Sequence, residues 1–184
     1  MNGYRSWRTA ALTMLLSAAI ATDNSALAQA GPSEYDLKAA FIYQFLSYVS
    51  WPESKVGVNG VILIGVVGAP ELVSNLTLLA RTRGDDARMF DVLPLTLDAN
   101  PAGLHVLFVA ADINADAEDL LQAALADAVL TITEELPRPQ NSVINFEIIG
   151  NKVRFDVALG MAQQNGLAIS GRLLQVALRV MEQP

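Results

Sequence analysis

The sequence predicts an α/β fold: a single compact domain with a mixed, mostly parallel sheet, a C-terminal antiparallel hairpin, and flanking helices. Strand-like runs such as 61–67 and 105–109 alternate with helical segments, which is the pattern of an α/β chain. These runs are apolar throughout, as in parallel strands covered on both faces. Gly150-Asn151 separates two later strand-like segments by two residues, which indicates a hairpin.

Residues 1–30 are predicted to be a cleavable signal peptide. Arg5 and Arg8 give a positive start, 9–21 is a short apolar run, and two overlapping Ala-x-Ala sites follow. The run is shorter than the roughly 20 residues that span a bilayer. We expect cleavage after Ala28 or Ala30, which releases a domain of residues 31–184 into the periplasm; an uncleaved anchor or a frayed N-terminal helix is the alternative.

The composition of the 154 residues after position 30 excludes several classes of protein. They hold 10 basic and 18 acidic residues, a net charge of −8, which disfavours nucleic acid and anionic lipid surfaces. The chain has no cysteine, which excludes disulfides, thiolate nucleophiles and thiolate zinc sites. No second apolar run reaches membrane length, so we expect no direct membrane insertion after cleavage.

The first helix of the domain has clear end signals. Ser33 and Asp36 have the spacing of a near capping box. The helix is predicted to run to about Ser50, because Trp51-Pro52 disfavours its continuation. Its apolar stripe is formed by Leu37, Phe41, Phe45 and Tyr48.

The remaining elements follow in chain order from apolar runs and turn residues. We predict strands over 61–67, 89–93, 105–109, 129–133, 143–149 and 152–158. Helices are predicted from Pro70 or Glu71 to about Arg81, over 115–126 behind an Asn114 cap, briefly before Asn165-Gly166, and from a Ser170 cap to about Met181.

The polar residues predict no catalytic or metal site, and no cofactor. His105 is the lone histidine and opens an apolar strand, so we expect it to bond to backbone or to cap the strand end. No G-x-S-x-G elbow accompanies it. Asp112, Asn114 and Asp116 resemble the start of a calcium loop, but the glycine and glutamate that such a loop needs are replaced by alanines. The chain is therefore not predicted to be an enzyme.

Two further patterns have open interpretations. Gly65 and Gly68 lie at the end of a strand before a helix, where α/β folds usually place a ligand. They are weak ligand-binding candidates, and turn geometry with close packing is the alternative. The acidic pairs Asp85-Asp86 and Glu134-Glu135 are expected to be solvated surface.

Four motifs occur in order along the chain. They are K-A-A-F-I-Y-Q-F at 38–45 followed by Trp51-Pro52, H-V-L-F at 105–108, I-N-F at 144–146 with K-V-R-F-D-V at 152–157, and G-L-A-I-S at 166–170 with Leu173-Leu174. Together these motifs resemble those of the YfiR-like family of periplasmic proteins. Leu104 stands where well-known members often have a cysteine, so the redox control of those members does not carry over. Asn141-Ser142 replaces their glycine pair, so this loop is expected to differ in shape.

The resemblance implies a compact α/β periplasmic protein that represses a membrane-bound diguanylate cyclase by binding its periplasmic sensor part. Such repression lowers cyclic-di-GMP and biofilm formation. The alternative is a periplasmic small-molecule-binding module that serves an uptake or sensory system. The sequence leaves a homodimer open.

The partner-binding candidates are Trp51, Arg154, Leu173 and Leu174. Trp51 is either core or an interface anchor. Arg154 is either a buried ion-pair partner or part of a binding site. Asn145 is expected to bond to local backbone.

Overall fold

The computed structural model describes residues 31–55, 60–82, 89–136 and 141–182. The predicted signal peptide and Asp85-Asp86 lie outside these ranges. The helices are α1 (Glu34–Tyr48), α2 (Pro70–Thr82), α3 (Glu118–Ala126), α4 (Leu159–Gln164) and α5 (Gly171–Val176). The strands are β1 (Val49–Ser50), β2 (Ile62–Val67), β3 (Phe90–Leu95), β4 (Val106–Val109), β5 (Leu130–Glu134), β6 (Ile144–Ile149), β7 (Lys152–Ala158), β8 (Ala168–Ile169) and β9 (Arg179–Met181).

The main sheet has seven strands in the order β3-β2-β4-β5-β6-β7-β9. Strands β3, β2, β4, β5 and β6 are mutually parallel. The β6–β7 hairpin is antiparallel, and β9 runs parallel to β7 at the edge. This arrangement confirms the predicted α/β fold with its mostly parallel sheet and C-terminal hairpin. A separate pair, β1 with β8, is antiparallel and was not predicted.

Helices cover both faces of the sheet, but unequally. The larger core lies under α1 and α2, where Phe45 stacks on Phe146 and meets the edge of Phe155 at a centroid distance of 5.0 Å. The smaller core lies under α3 and contains Leu107 and Leu121. Every strand from β2 to β7 therefore contributes to a buried face, which accounts for the continuous apolar runs.

The start of α1 is confirmed as a capping box. The Ser33 hydroxyl accepts the Asp36 backbone N–H at 3.1 Å, and the Asp36 carboxylate accepts the Ser33 backbone N–H at 2.8 Å. Both bonds satisfy donors that the first helical turn leaves free. The helix ends at Tyr48, slightly before the predicted end, because Val49 enters β1.

The predicted last helix was wrong in length. Ser170 caps it as expected, accepting the Arg172 backbone N–H at 3.3 Å, but α5 ends at Val176. The following residues extend along β7, where the Leu178 N–H donates to the Phe155 carbonyl at 2.8 Å, and then form β9. Pairing with an otherwise open β7 edge outweighs helix propensity here, which is a weak preference.

The predicted Asn114 cap was also wrong. Residues Ala111–Ala117 form a 3₁₀ helix, and α3 begins only at Glu118. The Asn114 side chain is buried and donates instead to the Glu134 carbonyl at 2.7 Å. The carbonyl that Asn114 binds is 20 residues away in the chain, at the end of β5. The sequence around Asn114 gives no sign of this partner.

Candidate functional site

Gly65 and Gly68 lie in and just after β2, beside the point where chain connections reverse direction. The chain leaves β2 for β3 on one side, and later enters β4 on the other side. In open α/β sheets a ligand usually binds at this switch point, beyond the carboxyl ends of the strands.

The protein fills this switch point with its own side chains. A Cβ atom on Gly68 would lie 2.6 Å from Ile113 Cδ1 and 3.0 Å from Ala110 Cβ. A Cβ atom on Gly65 would lie 2.5 Å from Leu95 Cδ1. Gly68 also has a φ of +81°, which favours glycine. Turn geometry and close packing therefore account for both glycines.

A buried charge cluster, which sequence reasoning missed, lies at the carboxyl end of β5. The expectation that Glu134 is solvated was wrong, since only 3% of the residue is exposed. Lys38, 1% exposed, makes ion pairs with Glu134 and with Glu34 one helical turn before it. The Tyr35 hydroxyl and the Ala111 backbone N–H donate to Glu134 Oε1 at 3.1 and 3.0 Å.

These contacts leave the cluster internally satisfied. Burial, followed by the negative charge of Glu134, raises the pKa of Tyr35, so this hydroxyl keeps its proton and donates. The Lys38 ammonium also lies 5.0 Å from the centre of the Tyr35 ring. Lys38 lies four residues before the buried Ile42 and so on the same face of α1, and this spacing is the sequence signal that could have predicted a buried partner.

His105 is confirmed as a structural residue bonded to backbone. Its Nδ1 accepts the Leu63 N–H at 3.1 Å, and its Nε2–H donates to the Lys55 carbonyl at 2.8 Å. Burial lowers the pKa of His105, which favours this neutral ring. The Trp51 indole N–H donates to the His105 carbonyl at 2.9 Å, so Trp51 is half-buried and its polar atom is occupied.

The partner-binding candidates differ in burial and in the face of the sheet to which they belong. Leu173 is buried in the larger core, and Leu174 is partly buried against it. Arg154 alternates with the core residues Val153 and Phe155, so it points to the opposite face of the sheet. Trp51 packs against the larger core from the segment after β1.

Of the two interpretations of Arg154, the buried ion-pair partner was wrong, because Arg154 is exposed. The buried carboxylate of this region belongs to Asp156, and Arg179 on β9 binds it through Nε at 2.9 Å and Nη2 at 2.5 Å. From the sequence, only Arg154, the arginine of the K-V-R-F-D-V motif, was considered. Arg179, which pairs with Asp156 from a later strand, was therefore missed.

Asn145 bonds to backbone, as expected, but its partner is nine positions away in the chain and is not local. Its Nδ2 donates to the Leu136 carbonyl at 3.1 Å, and its Oδ1 accepts the Thr133 hydroxyl at 3.0 Å. Asn145 thereby holds the segment after β5 against the sheet.

Exposed apolar side chains gather at the C-terminal end of the described chain. We call Val176, Leu178 and Val180 the C-terminal apolar strip; their exposed fractions are 62%, 37% and 38%. A single exposed aliphatic residue is common on protein surfaces, but three within five positions suggest an interaction surface. The sequence signal for this strip was the apolar run after Ser170. Because the run was predicted to be one helix, the sequence alone could not identify which of its side chains face solvent.

Neither a metal cluster nor a membrane span is found in the part of the chain that the structure describes. No group of three or more His, Asp or Glu side chains in these ranges is arranged to hold a metal ion. Among the described helices, none has the length and apolar character needed to cross a bilayer.

The comparisons with known proteins bear on the whole of this arrangement. No curated protein matches the chain significantly. A family model described as YfiR/HmsC-like matches residues 35–178, from α1 to the segment before β9. This match covers well over half of the chain, and the chain therefore belongs to the YfiR/HmsC-like family.

Proposed function

We propose that this protein is a periplasmic regulator that binds the periplasmic sensor part of a membrane diguanylate cyclase and represses it. Repression lowers cyclic-di-GMP and so limits biofilm formation. The family match over residues 35–178 carries this proposal, since YfiR-like proteins are regulatory rather than catalytic. The chain acts by contact in this proposal, and no substrate is turned over.

The filled switch point favours this function over the alternative, a small-molecule-binding module. Ile113 and Ala110 occupy the space beside Gly68, where an α/β fold of this topology would hold a ligand. The nearby charges of Lys38 and Glu134 are paired with each other rather than presented to a ligand. A protein partner needs no such crevice, because it binds an exposed surface.

We assign the main contact to the C-terminal apolar strip. The buried Leu173 and the partly buried Leu174 lie on the same short helix as Val176. Trp51 and Arg154 remain further candidates. Truncation of a central apolar anchor in an interface costs about 2 kcal/mol or more, which is roughly 30-fold in affinity.

Gene deletion with complementation tests the proposal. Deletion should raise cyclic-di-GMP, and the wild-type gene should lower it again. Val176→Asp should fail to restore repression, whereas Ile149→Asp, at an exposed aliphatic residue of the β6–β7 hairpin, should restore it. Unchanged cyclic-di-GMP after deletion, together with tight binding of a small metabolite by the purified protein, would establish the alternative.

A further inference from the structure

Among the described residues, strand β3 is an edge of the main sheet, and its outward backbone groups have no strand partner there. The Ile62 N–H donates to the Met89 carbonyl at 2.9 Å, and Ile62 is the Cα partner of Phe90. In a parallel ladder this pattern directs the backbone N–H and C=O groups of residues 89, 91, 93 and 95 toward β2. The N–H and C=O groups of Phe90 and Val92 therefore point away from the sheet.

A groove runs between this edge and helix α2. It encloses about 320 Å³ and is lined by Thr77, Ala80 and Arg81 of α2 and by Phe90, Asp91, Val92 and Leu93 of β3. Exposed apolar side chains flank it, with Met89 exposed by 65% and Leu93 by 39%. The groove thus combines outward backbone donors and acceptors with a lining that is apolar at Ala80, Phe90 and Val92 and charged at Asp91 and Arg81. Backbone groups beside such side-chain sites are the chemistry that binds an extended polypeptide as an added strand.

The β3 strand of a second copy of this chain fits the edge poorly in an antiparallel pair. Two antiparallel registers would pair both Phe90 and Val92 with a second β3. One register sets Asp91 directly opposite the Asp91 of the other copy, so two like charges face each other. The other sets Phe90 opposite Pro94, which has no N–H to donate.

We propose that this groove binds an extended segment of the regulated partner, which adds to β3 as an eighth strand; this inference rests on the proposed function. The segment carries apolar side chains at alternate positions, which lie against Ala80 and Val92. A basic residue on its other face lies beside Asp91. The added ladder stops at Pro94, so the contact is a few residues long.

Paired variants of Val92 test the backbone contact. Val92→Pro and Val92→Ala both replace the valine side chain, but only proline removes the outward N–H, and neither removes a backbone donor or acceptor that faces β2. The probe is an acetylated eight-residue peptide in which valine and lysine alternate, with an N-methylated version as control. Binding should slow hydrogen exchange of the Phe90 and Val92 amides in the wild-type protein. Val92→Pro should weaken binding about fivefold relative to Val92→Ala, the loss of one hydrogen bond.

The same variants separate this inference from the proposed function in cells. If deletion raises cyclic-di-GMP and Val92→Pro represses less well than Val92→Ala, the inference holds. If Val92→Pro represses as well as Val92→Ala, the groove inference is overturned and the proposed function stands. If deletion leaves cyclic-di-GMP unchanged, both fail. Should Val92→Pro not fold, Ala80→Gln, which fills the groove from α2, replaces it with Ser74→Gln as control, and equal repression by these two also overturns the inference.

Discussion

Lys38 and Glu134 show how a single residue pair secures the first helix to the sheet. The two side chains are 96 positions apart and both are buried. Because each charge is removed from water, each depends on the other for compensation. Lys38 lies one helical turn before Ile42, and Glu134 ends a buried strand, but nothing local in the sequence connects them, and Glu134 was interpreted as surface.

Lys38→Met should destabilise the fold strongly. It leaves the Glu134 carboxylate buried beside Tyr35 and Ala111 without its cation, and breaking one half of a buried pair costs about 3–5 kcal/mol. Urea denaturation measures this change in the free energy of unfolding. The double variant Lys38→Met with Glu134→Gln should recover part of the loss, since no charge remains. A cost below about 1 kcal/mol for the single variant would contradict the pairing.

His105 should make stability depend on pH. Burial lowers its pKa in the folded protein below the roughly 6.5 of an unfolded chain, so the unfolded state binds the proton more readily. The contribution is fully present above about pH 6.5 and is lost as the pH falls below that value toward the folded pKa. Protonation also removes the acceptor for the Leu63 N–H.

Urea denaturation between pH 7.5 and 5.0 measures this dependence. The His105→Gln variant is the control, because carboxylates contribute equally to both proteins. The wild-type protein should lose more stability than the variant below pH 6.5, by up to about 1.4 kcal/mol per pH unit. Parallel curves for the two proteins would show that the folded pKa is not lowered.

Helices and strands were predicted well where their end signals are local. The Ser33 capping box, the Gly150-Asn151 hairpin and the apolar strands all depend on neighbours in sequence. The end of α5 and the position of Asn114 depend on β7 and β5, which are distant in sequence. Elements are thus predictable up to the point where a tertiary hydrogen bond decides between two local conformations.

Ser33→Ala should weaken the start of α1. The hydroxyl that accepts the Asp36 N–H is lost, and removal of such a cap costs about 1 kcal/mol. Ser74→Ala on α2 is a matched control, since its hydroxyl only bonds back to the Pro70 carbonyl within the helix. Thermal denaturation should show a lower Tm for the first variant alone; equal Tm values would contradict a role for the cap.

At the scale of the whole molecule, composition and periodicity were enough to predict the class of fold. They could not predict the strand order, because a short apolar run contains no information about which strands it pairs with. The candidate site was likewise predictable only in part. The sequence indicated an apolar C-terminal segment, but the free edge of β3 and the filled switch point appear only when strands and helices are assembled.

Export should leave a shortened chain. The positive start, apolar run and Ala-x-Ala sites predict that mass spectrometry of the periplasmic fraction finds a chain beginning at Gln29 or Gly31. Ala28→Leu combined with Ala30→Leu should slow processing, because the cleavage site needs small residues. An intact chain beginning at Met1 in the membrane fraction would contradict cleavage.

The antiparallel pair of β1 and β8 has a consequence for the order in which the chain folds. Val49, at the end of the first helix, pairs with Ile169, and Phe41 packs on Phe146 and Phe155. A chain that emerges amino end first presents this helix before any of its partners exist, and contacts so distant in sequence form slowly. The first helix of the domain is therefore among the last segments to complete its native contacts, and its apolar stripe must be shielded until then.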